Sequence, residues 1–293
     1  MRRFLTICTF ALLLAACTEK VDLRSVSDYH DYLVVDAILT DNPDQEQTVN
    51  LSRTVSYFVD EEPPRVRGAR VSVNGQPFDE SDPGVYMAPK GYHCEPGTEY
   101  HLRIELPEGR SYEAEASMPE KGFRLDGIDY AYAGNKSMGL DSLWTLAIWG
   151  KDDAIASYYH ITLGVNGNFY PFELTEFMDD KYFNDKEVKG FPITTLVQSE
   201  ALRKRYGDAF KYLETGDVIT LRARSLEKGY FDYLLAQTLN TTSIPIFSPQ
   251  PANTPTNIRG EHVLGWFAVC PEFSAEVTVE DPFRPYYKKM FPW

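Results

Sequence analysis

Glu99-Tyr-His-Leu-Arg-Ile-Glu-Leu106, then Pro107-Glu-Gly-Arg110, then Ser111-Tyr-Glu-Ala-Glu-Ala-Ser-Met118, is the stretch that decides the fold. Tyr100, Leu102, Ile104 and Leu106 alternate with Glu99, His101, Arg103 and Glu105. Tyr112, Ala114, Ala116 and Met118 alternate with Ser111, Glu113, Glu115 and Ser117. Side chains on a strand point to opposite faces in turn, so this pattern predicts two strands with one apolar and one wet face. The Pro-Glu-Gly-Arg turn joins them as an antiparallel hairpin.

Upstream, the same period recurs. Tyr32-Leu-Val-Val-Asp-Ala-Ile-Leu39 is a β-branched apolar run of strand length, and Gln47 to Arg53 alternates. Ala69, Val71 and Val73 share a face and lead into Asn74-Gly75, a pair suited to the positive φ angles of a two-residue hairpin. Short strands separated by turns over residues 31–119 predict an immunoglobulin-like β-sandwich. Pro119 to Gly122 marks its expected boundary.

Residues 120–293 predict a larger β-rich domain with one or two helices. Leu143 to Trp149 and Tyr158 to Val165 read as strands, and Asn166-Gly167 turns the chain toward Phe169. Ser199 to Leu213 has helical spacing, with Leu202, Tyr206 and Phe210 four apart. Ile219, Leu221 and Ala223 alternate as a strand, and Ser225 is placed to cap a helix over 225–239, with Glu227 in its first turn. The prolines between Pro245 and Pro255 require extended loop. Glu261 to Val269 and Glu272 to Val279 read as closing strands.

The N terminus addresses location. Arg2 and Arg3 precede an apolar run, Phe4 to Leu14, far shorter than the roughly 20 residues that span a bilayer. Leu14-Ala-Ala-Cys17 resembles the bacterial lipobox, so residues 1–16 read as a lipoprotein signal peptide and Cys17 as the acylated first residue of the mature chain. Residues 17–30 then form the tether. Each buried acyl methylene contributes about 0.8 kcal/mol, enough for several chains to hold a protein on a membrane. The acidic residues Glu19 and Asp22 resemble surface-export signals of Bacteroidetes lipoproteins and point to the cell surface, with attachment facing the periplasm as the alternative.

The chain has 43 acidic against 29 basic residues and a formal charge of −14. Such a surface repels nucleic acid and anionic headgroups, so attachment falls to the lipid. Of the four cysteines, Cys8 leaves with the signal peptide and Cys17 carries lipid. Cys94 and Cys270 remain, either bonded in an oxidising compartment or buried as free thiols.

Motifs for catalysis are absent. The sequence holds no Gly-x-Ser-x-Gly elbow, no His-Glu-x-x-His, no phosphate-binding loop and no Cys-x-x-Cys. His93, Cys94 and Glu95 are adjacent, and consecutive strand residues face apart, so no metal is expected there. Glu173, Glu176, Asp179, Asp180, Asp185 and Glu187 lack the spacing that prearranges Ca²⁺ ligands and predict a solvated loop. No cofactor is implied. Aromatics are the remaining lead. Tyr158, Tyr159, Phe169, Tyr170 and Phe172 crowd one region, with Tyr182-Phe183 nearby, and serve either the core or a ligand. The C-terminal run from Pro282 to Trp293 either packs back on its own domain or docks on a partner through Tyr286, Tyr287, Phe291 and Trp293.

An ordered series of signatures resembles the Bacteroidetes lipoprotein family known as domain of unknown function 4249. It comprises Leu33 to Asp41, Val49 to Thr54, Gly68 to Val73, Gly84-Val-Tyr86, Gly97 to Tyr100, Asn257-Ile258 and Gly265-Trp-Phe-Ala268. Where this chain has Trp266, the family usually has Tyr. The resemblance implies an outer-membrane lipoprotein encoded beside TonB-dependent receptors, and carries over Cys17 as the lipid site and no catalytic residue. The expected function is an accessory binding subunit of a TonB-dependent nutrient uptake system, not an enzyme. The alternatives are a surface hydrolase of glycan or peptide and a structural or adhesive surface protein.

Overall fold

In the computed structural model, residues 31–55, 62–120, 122–137, 140–155, 157–241 and 254–285 are described. The strands are β1 (Leu33–Thr40), β2 (Thr48–Arg53), β3 (Arg70–Val73), β4 (Gln76–Asp82), β5 (Val85–Met87), β6 (Glu99–Glu105) and β7 (Ser111–Ser117). There follow β8 (Phe123–Ser137), β9 (Leu140–Asp152), β10 (Tyr158–Val165), β11 (Asn168–Phe169), β12 (Glu176–Asp179), β13 (Glu187–Gln198) and β14 (Val218–Leu226). Helices α1 (Glu200–Tyr206) and α2 (Lys228–Thr241) flank β14, and β15 (Ile258–Arg259), β16 (Val263–Cys270) and β17 (Glu272–Thr278) complete the set. The chain is mainly β. Among the described residues no helix is long and apolar enough to cross a membrane.

The deciding hairpin is β6–β7, with Glu99 opposite Ser117 and Glu105 opposite Ser111. Its inward residues Tyr100, Leu102, Ile104, Tyr112, Ala114 and Ala116 are buried and its charged face is wet. Both Asn-Gly pairs turn hairpins with positive φ at each residue, at Asn74-Gly75 between β3 and β4 and at Asn166-Gly167 between β10 and β11.

The first sheet runs β15-β7-β6-β3-β4-β5-β2-β1-β16. Strand β4 joins two layers. Its first half, through Phe78, pairs with β3 and its second half, from Asp79, pairs with β5, with an irregularity between Glu80 and Asp82. Leu33, Val35, Leu51, Val73, Phe78, Tyr86, Leu102, Ile104, Tyr112 and Phe267 fill the space between the layers.

This sheet is not made of residues 31–119 alone. Strand β16 lies parallel to β1 along its whole length, Leu33 opposite Val263 and Thr40 opposite Cys270, and β15 pairs with β7. The segment expected to close the second domain thus closes the first. The Asn257 side chain fastens the two ends of the sheet together. Its amide donates to the Phe267 carbonyl (2.7 Å) and the Glu115 carbonyl (3.2 Å), and its oxygen accepts from the Phe267 amide (3.0 Å). Gly265 permits the close approach of β16 to β1. A Cβ there would overlap the Val35 carbonyl, and φ is +99°.

Two further sheets, β11-β10-β14-β17 with β12 on β10, and β13-β9-β8, face each other. Tyr130, Trp144, Leu146 and Ile148 meet Tyr159, Ile161, Leu163, Ile219 and Leu221 in the second core. Helix α2 lies over a third cluster, with Tyr230, Phe231 and Tyr233 packed against Ile38, Tyr158 and Trp266.

Both helices differ from expectation. Residues 199–213 form a short α1, then a break at Gly207 (φ +92°), then a 3-10 turn over Asp208–Phe210. Ser225 does not cap α2. It is buried within β14, and α2 starts at Lys228. The acidic stretch 173–187 is likewise not all loop, since it supplies β12 and the first residue of β13.

Candidate functional site

The outer face of the β10–β14 pair carries the chemistry. On β10, Tyr159, Ile161 and Leu163 point into the core, which turns His160 and Thr162 outward. On β14, Leu221 and Ala223 are buried and Arg222 and Arg224 face out. Register sets His160 opposite Arg224 and Thr162 opposite Arg222. The Asn166-Gly167 turn folds β11 back beside them, with Phe169 opposite Gly164. A Cβ on Gly164 would lie 2.9 Å from the Phe169 ring, so the missing side chain lets that ring settle on the strand. The result is a pocket of about 190 Å³, lined by His160, Thr162, Phe169, Tyr170, Phe172, Thr175, Arg222 and Arg224.

Each cation is held in place. The Arg222 guanidinium sits 4.0 Å from the centroid of Phe169. Arg224 Nε donates to Glu272 Oε2 at 2.9 Å, and Arg222 Nε lies 3.6 Å from Glu272 Oε1. The Glu272 side chain is only 5 % exposed. It is fixed from the first sheet, because Asn42 Nδ2 donates to Oε1 (3.3 Å) and the Glu272 amide donates to Asp41 Oδ1 (2.8 Å). Two guanidinium groups share one directly paired carboxylate, and Asp36 is a further acid near Arg224.

His160 adds no charge. Burial, with the nearby Arg224 charge as a second cause, pushes its pKa down to about 4. The Thr175 hydroxyl donates to the Phe172 carbonyl (2.7 Å), so its contact with His160 Nε2 (2.9 Å) has the ring N–H donating to the hydroxyl oxygen. The ring stacks on Phe177 (4.7 Å between centroids, 13°). Tyr170 is committed elsewhere. Its hydroxyl donates to the Val197 carbonyl and accepts from the Val197 amide, and its ring stacks on Phe210. Phe172 is half-exposed at the rim.

Of the aromatics singled out in the sequence, Phe169, Tyr170 and Phe172 meet in this pocket, Tyr159 and Phe183 belong to the core, and Tyr182 is exposed. The pocket's polar side, His160, Arg222 and Arg224, was not anticipated. Its signal is two arginines two apart on a strand whose other face is apolar.

Cys94 and Cys270 are free, buried thiols, each pushed up to about 12 by burial. They sit at the same end of the sheet, where the Cys94 amide donates to the Thr40 carbonyl and Thr40 lies opposite Cys270. His93 is exposed beside buried Cys94, and no metal-holding group of three forms among the described residues. Asp152, Asp153, Asp180 and Asp185 do gather, joined by Asp185 N–H donating to the Asp153 carbonyl and Ser157 N–H donating to Asp180 Oδ2. The C-terminal run packs back as far as residue 285. Trp144 Nε1 donates to the Pro282 carbonyl (2.6 Å), and the Arg284 guanidinium lies 4.2 Å from the Tyr130 ring centroid. Tyr286, Tyr287, Phe291 and Trp293 lie outside the described residues, as do Cys17 and residues 1–30.

The family signatures map onto the joints of this architecture. Leu33 to Asp41 is β1 with the start of the loop that holds Glu272, and Asn257 and Gly265 fasten β16. Residues 18–276 match the domain of unknown function DUF4249. The chain belongs to the DUF4249 family. No curated protein matches the sequence. DUF4249 membership thus covers both sheet systems and the pocket between β10, β11 and β14.

Proposed function

We propose that this DUF4249 protein is a binding protein of the outer membrane, anchored through acylated Cys17. It serves as an accessory subunit of a TonB-dependent nutrient uptake system. The observation that carries the binding part is the pocket, in which two pre-positioned guanidinium groups face aromatic walls. Such sites hold ligands by orientation and desolvated charge, and need no reacting group.

The arrangement favours capture over turnover. His160 donates to Thr175 instead of accepting its proton, so the pair is not poised as base and nucleophile. A carboxyl acting as general acid must be within reach of its substrate. Asp152, whose carboxyl is pushed up to about 6 by burial, is closed off from solvent. The lipobox and the tether support the anchored location.

The test is a mild-detergent pull-down of the tagged, lipidated full chain from its own outer membrane, followed by mass spectrometry. A stoichiometric TonB-dependent barrel is the expected companion. Recovery of the lipidated protein alone would remove the uptake reading.

A further inference from the structure

We infer that the Arg222–Arg224 pocket takes a monocarboxylate borne on a flat aromatic body. This deepens the binding function proposed above and rests on it. Three observations select that chemistry.

The first is charge. Among the described residues Glu272 is the carboxylate in ion-pair contact with the two guanidinium groups, and Asp36 adds a second acidic group near Arg224, so at most one further negative charge is matched. A dianion would exceed the available positive charge, in a chain whose net charge is −14 and which therefore repels anions at long range.

The second is donor geometry. Arg224 uses its Nε on Glu272, and among the described residues the terminal nitrogens of Arg222 and Arg224 have no hydrogen-bond acceptor. Both side chains line the cavity. A guanidinium presents paired N–H groups in one plane, the arrangement that a planar carboxylate accepts in two parallel bonds.

The third is the apolar wall. Phe169 settles beside β10 because Gly164 makes room for it, with the Arg222 guanidinium over its ring, and the exposed Phe172 also lines the cavity. A flat ring placed against this aromatic lining keeps apolar contact while its carboxylate reaches the arginines. His160 stays neutral above about pH 5, so the positive charge comes from arginine alone, and Asp36 is the titratable acid near Arg224.

Two sources offer this chemistry: a free aryl acid, and the C-terminal aromatic residue of a peptide. Titration calorimetry on the detergent-solubilised full chain separates them, using benzoate, N-acetyl-L-phenylalanine, methyl benzoate, acetate and inorganic phosphate as probes. Benzoate or N-acetylphenylalanine is expected to bind, with affinity constant from pH 5.5 to 8.5, and the neutral ester and acetate at least tenfold more weakly. Preference for benzoate identifies a free acid, and preference for N-acetylphenylalanine identifies a peptide end. Arg222→Gln should weaken binding about tenfold or more, since a charge-assisted bond is lost. Phe169→Leu keeps all charges and should weaken the aromatic acids while leaving acetate unchanged. An unchanged thermal midpoint certifies that each variant folds.

Equal binding of acid and ester, or phosphate tighter than either aromatic acid, would overturn the inference. So would an affinity untouched by folded Arg222→Gln. A barrel recovered in the pull-down alongside failed carboxylate binding would sink the ligand class alone. Carboxylate binding with no barrel would sink the uptake reading alone.

Discussion

Asp152→Asn should stabilise this protein at neutral pH and do nothing at pH 4. Asp152 is fully buried. Its Oδ1 accepts from the Tyr159 hydroxyl at 2.8 Å, and its Oδ2 has no partner among the described residues. Burial raises the carboxyl pKa from 3.8 to about 6, and the nearby Asp180, Asp153 and Asp185 add to the rise. The folded state therefore binds this proton more tightly than the unfolded chain does. Below pH 4 both states are protonated and there is no penalty. Between about 4 and 6 the stability falls as pH rises, and above 6 the loss is complete. Two pKa units or slightly more correspond to about 3 kcal/mol. Asparagine keeps the shape and the acceptor for Tyr159 without the charge. At pH 7.5 the variant should melt about 6 °C or more above the wild type, and the two curves should converge toward pH 4. Thermal unfolding by circular dichroism from pH 4 to 8 reads this directly, because titrations not coupled to Asp152 cancel in the difference between the two proteins. A variant that melts at or below the wild type at pH 7.5, or a gap independent of pH, would refute the reasoning.

Gly265→Ala should cost about 3 kcal/mol or more in urea unfolding, because the added carbon overlaps the Val35 carbonyl at a positive φ. A loss under 1 kcal/mol would contradict the tight β1–β16 junction. Asn257→Asp replaces the donor that bridges Phe267 and Glu115 with a carboxylate facing two carbonyls, and should destabilise by about 2 kcal/mol at pH 7. Wild-type stability in that variant would show that the sheet ends need no such fastening. Cys94 and Cys270, buried with thiols near 12, should resist alkylation in the native protein and react in denaturant. Prompt labelling of either under native conditions, read by intact mass, would contradict their burial.

The parts of the fold visible in the sequence are those written in local periodicity. The β6–β7 hairpin alternates without exception, and the two Asn-Gly turns announce their own backbone angles. The β1–β16 pairing leaves no such trace. Parallel partners from opposite ends of the chain share only apolar character, so the sequence boundary near Pro119 does not coincide with the sheet that crosses it. The helix over 199–213 was overstated because Leu202, Tyr206 and Phe210 keep helical spacing across Gly207, whose backbone ends the helix. Ser225 resembled a cap, yet it continues the alternation of Ile219, Leu221 and Ala223 and is absorbed by β14. The pocket was half legible. Its aromatics stood out by number. Its arginines looked like the wet face of a strand, and the carboxylate that orients them follows about 50 residues later, on β17.

Strand β1 also has a mechanical role. It is the first strand among the described residues, and the chain leaving it supplies Asp41 and Asn42, which hold Glu272 behind the arginines. Hydrogen bonds flank it on both edges, to β2 and to β16. A pull on the N terminus loads β1 lengthwise, so the bonds on both edges resist together in shear instead of opening one by one. Such tension is then borne by the strand whose far end sets the arginines. The same element that resists such a pull carries tension toward the loop that braces Glu272.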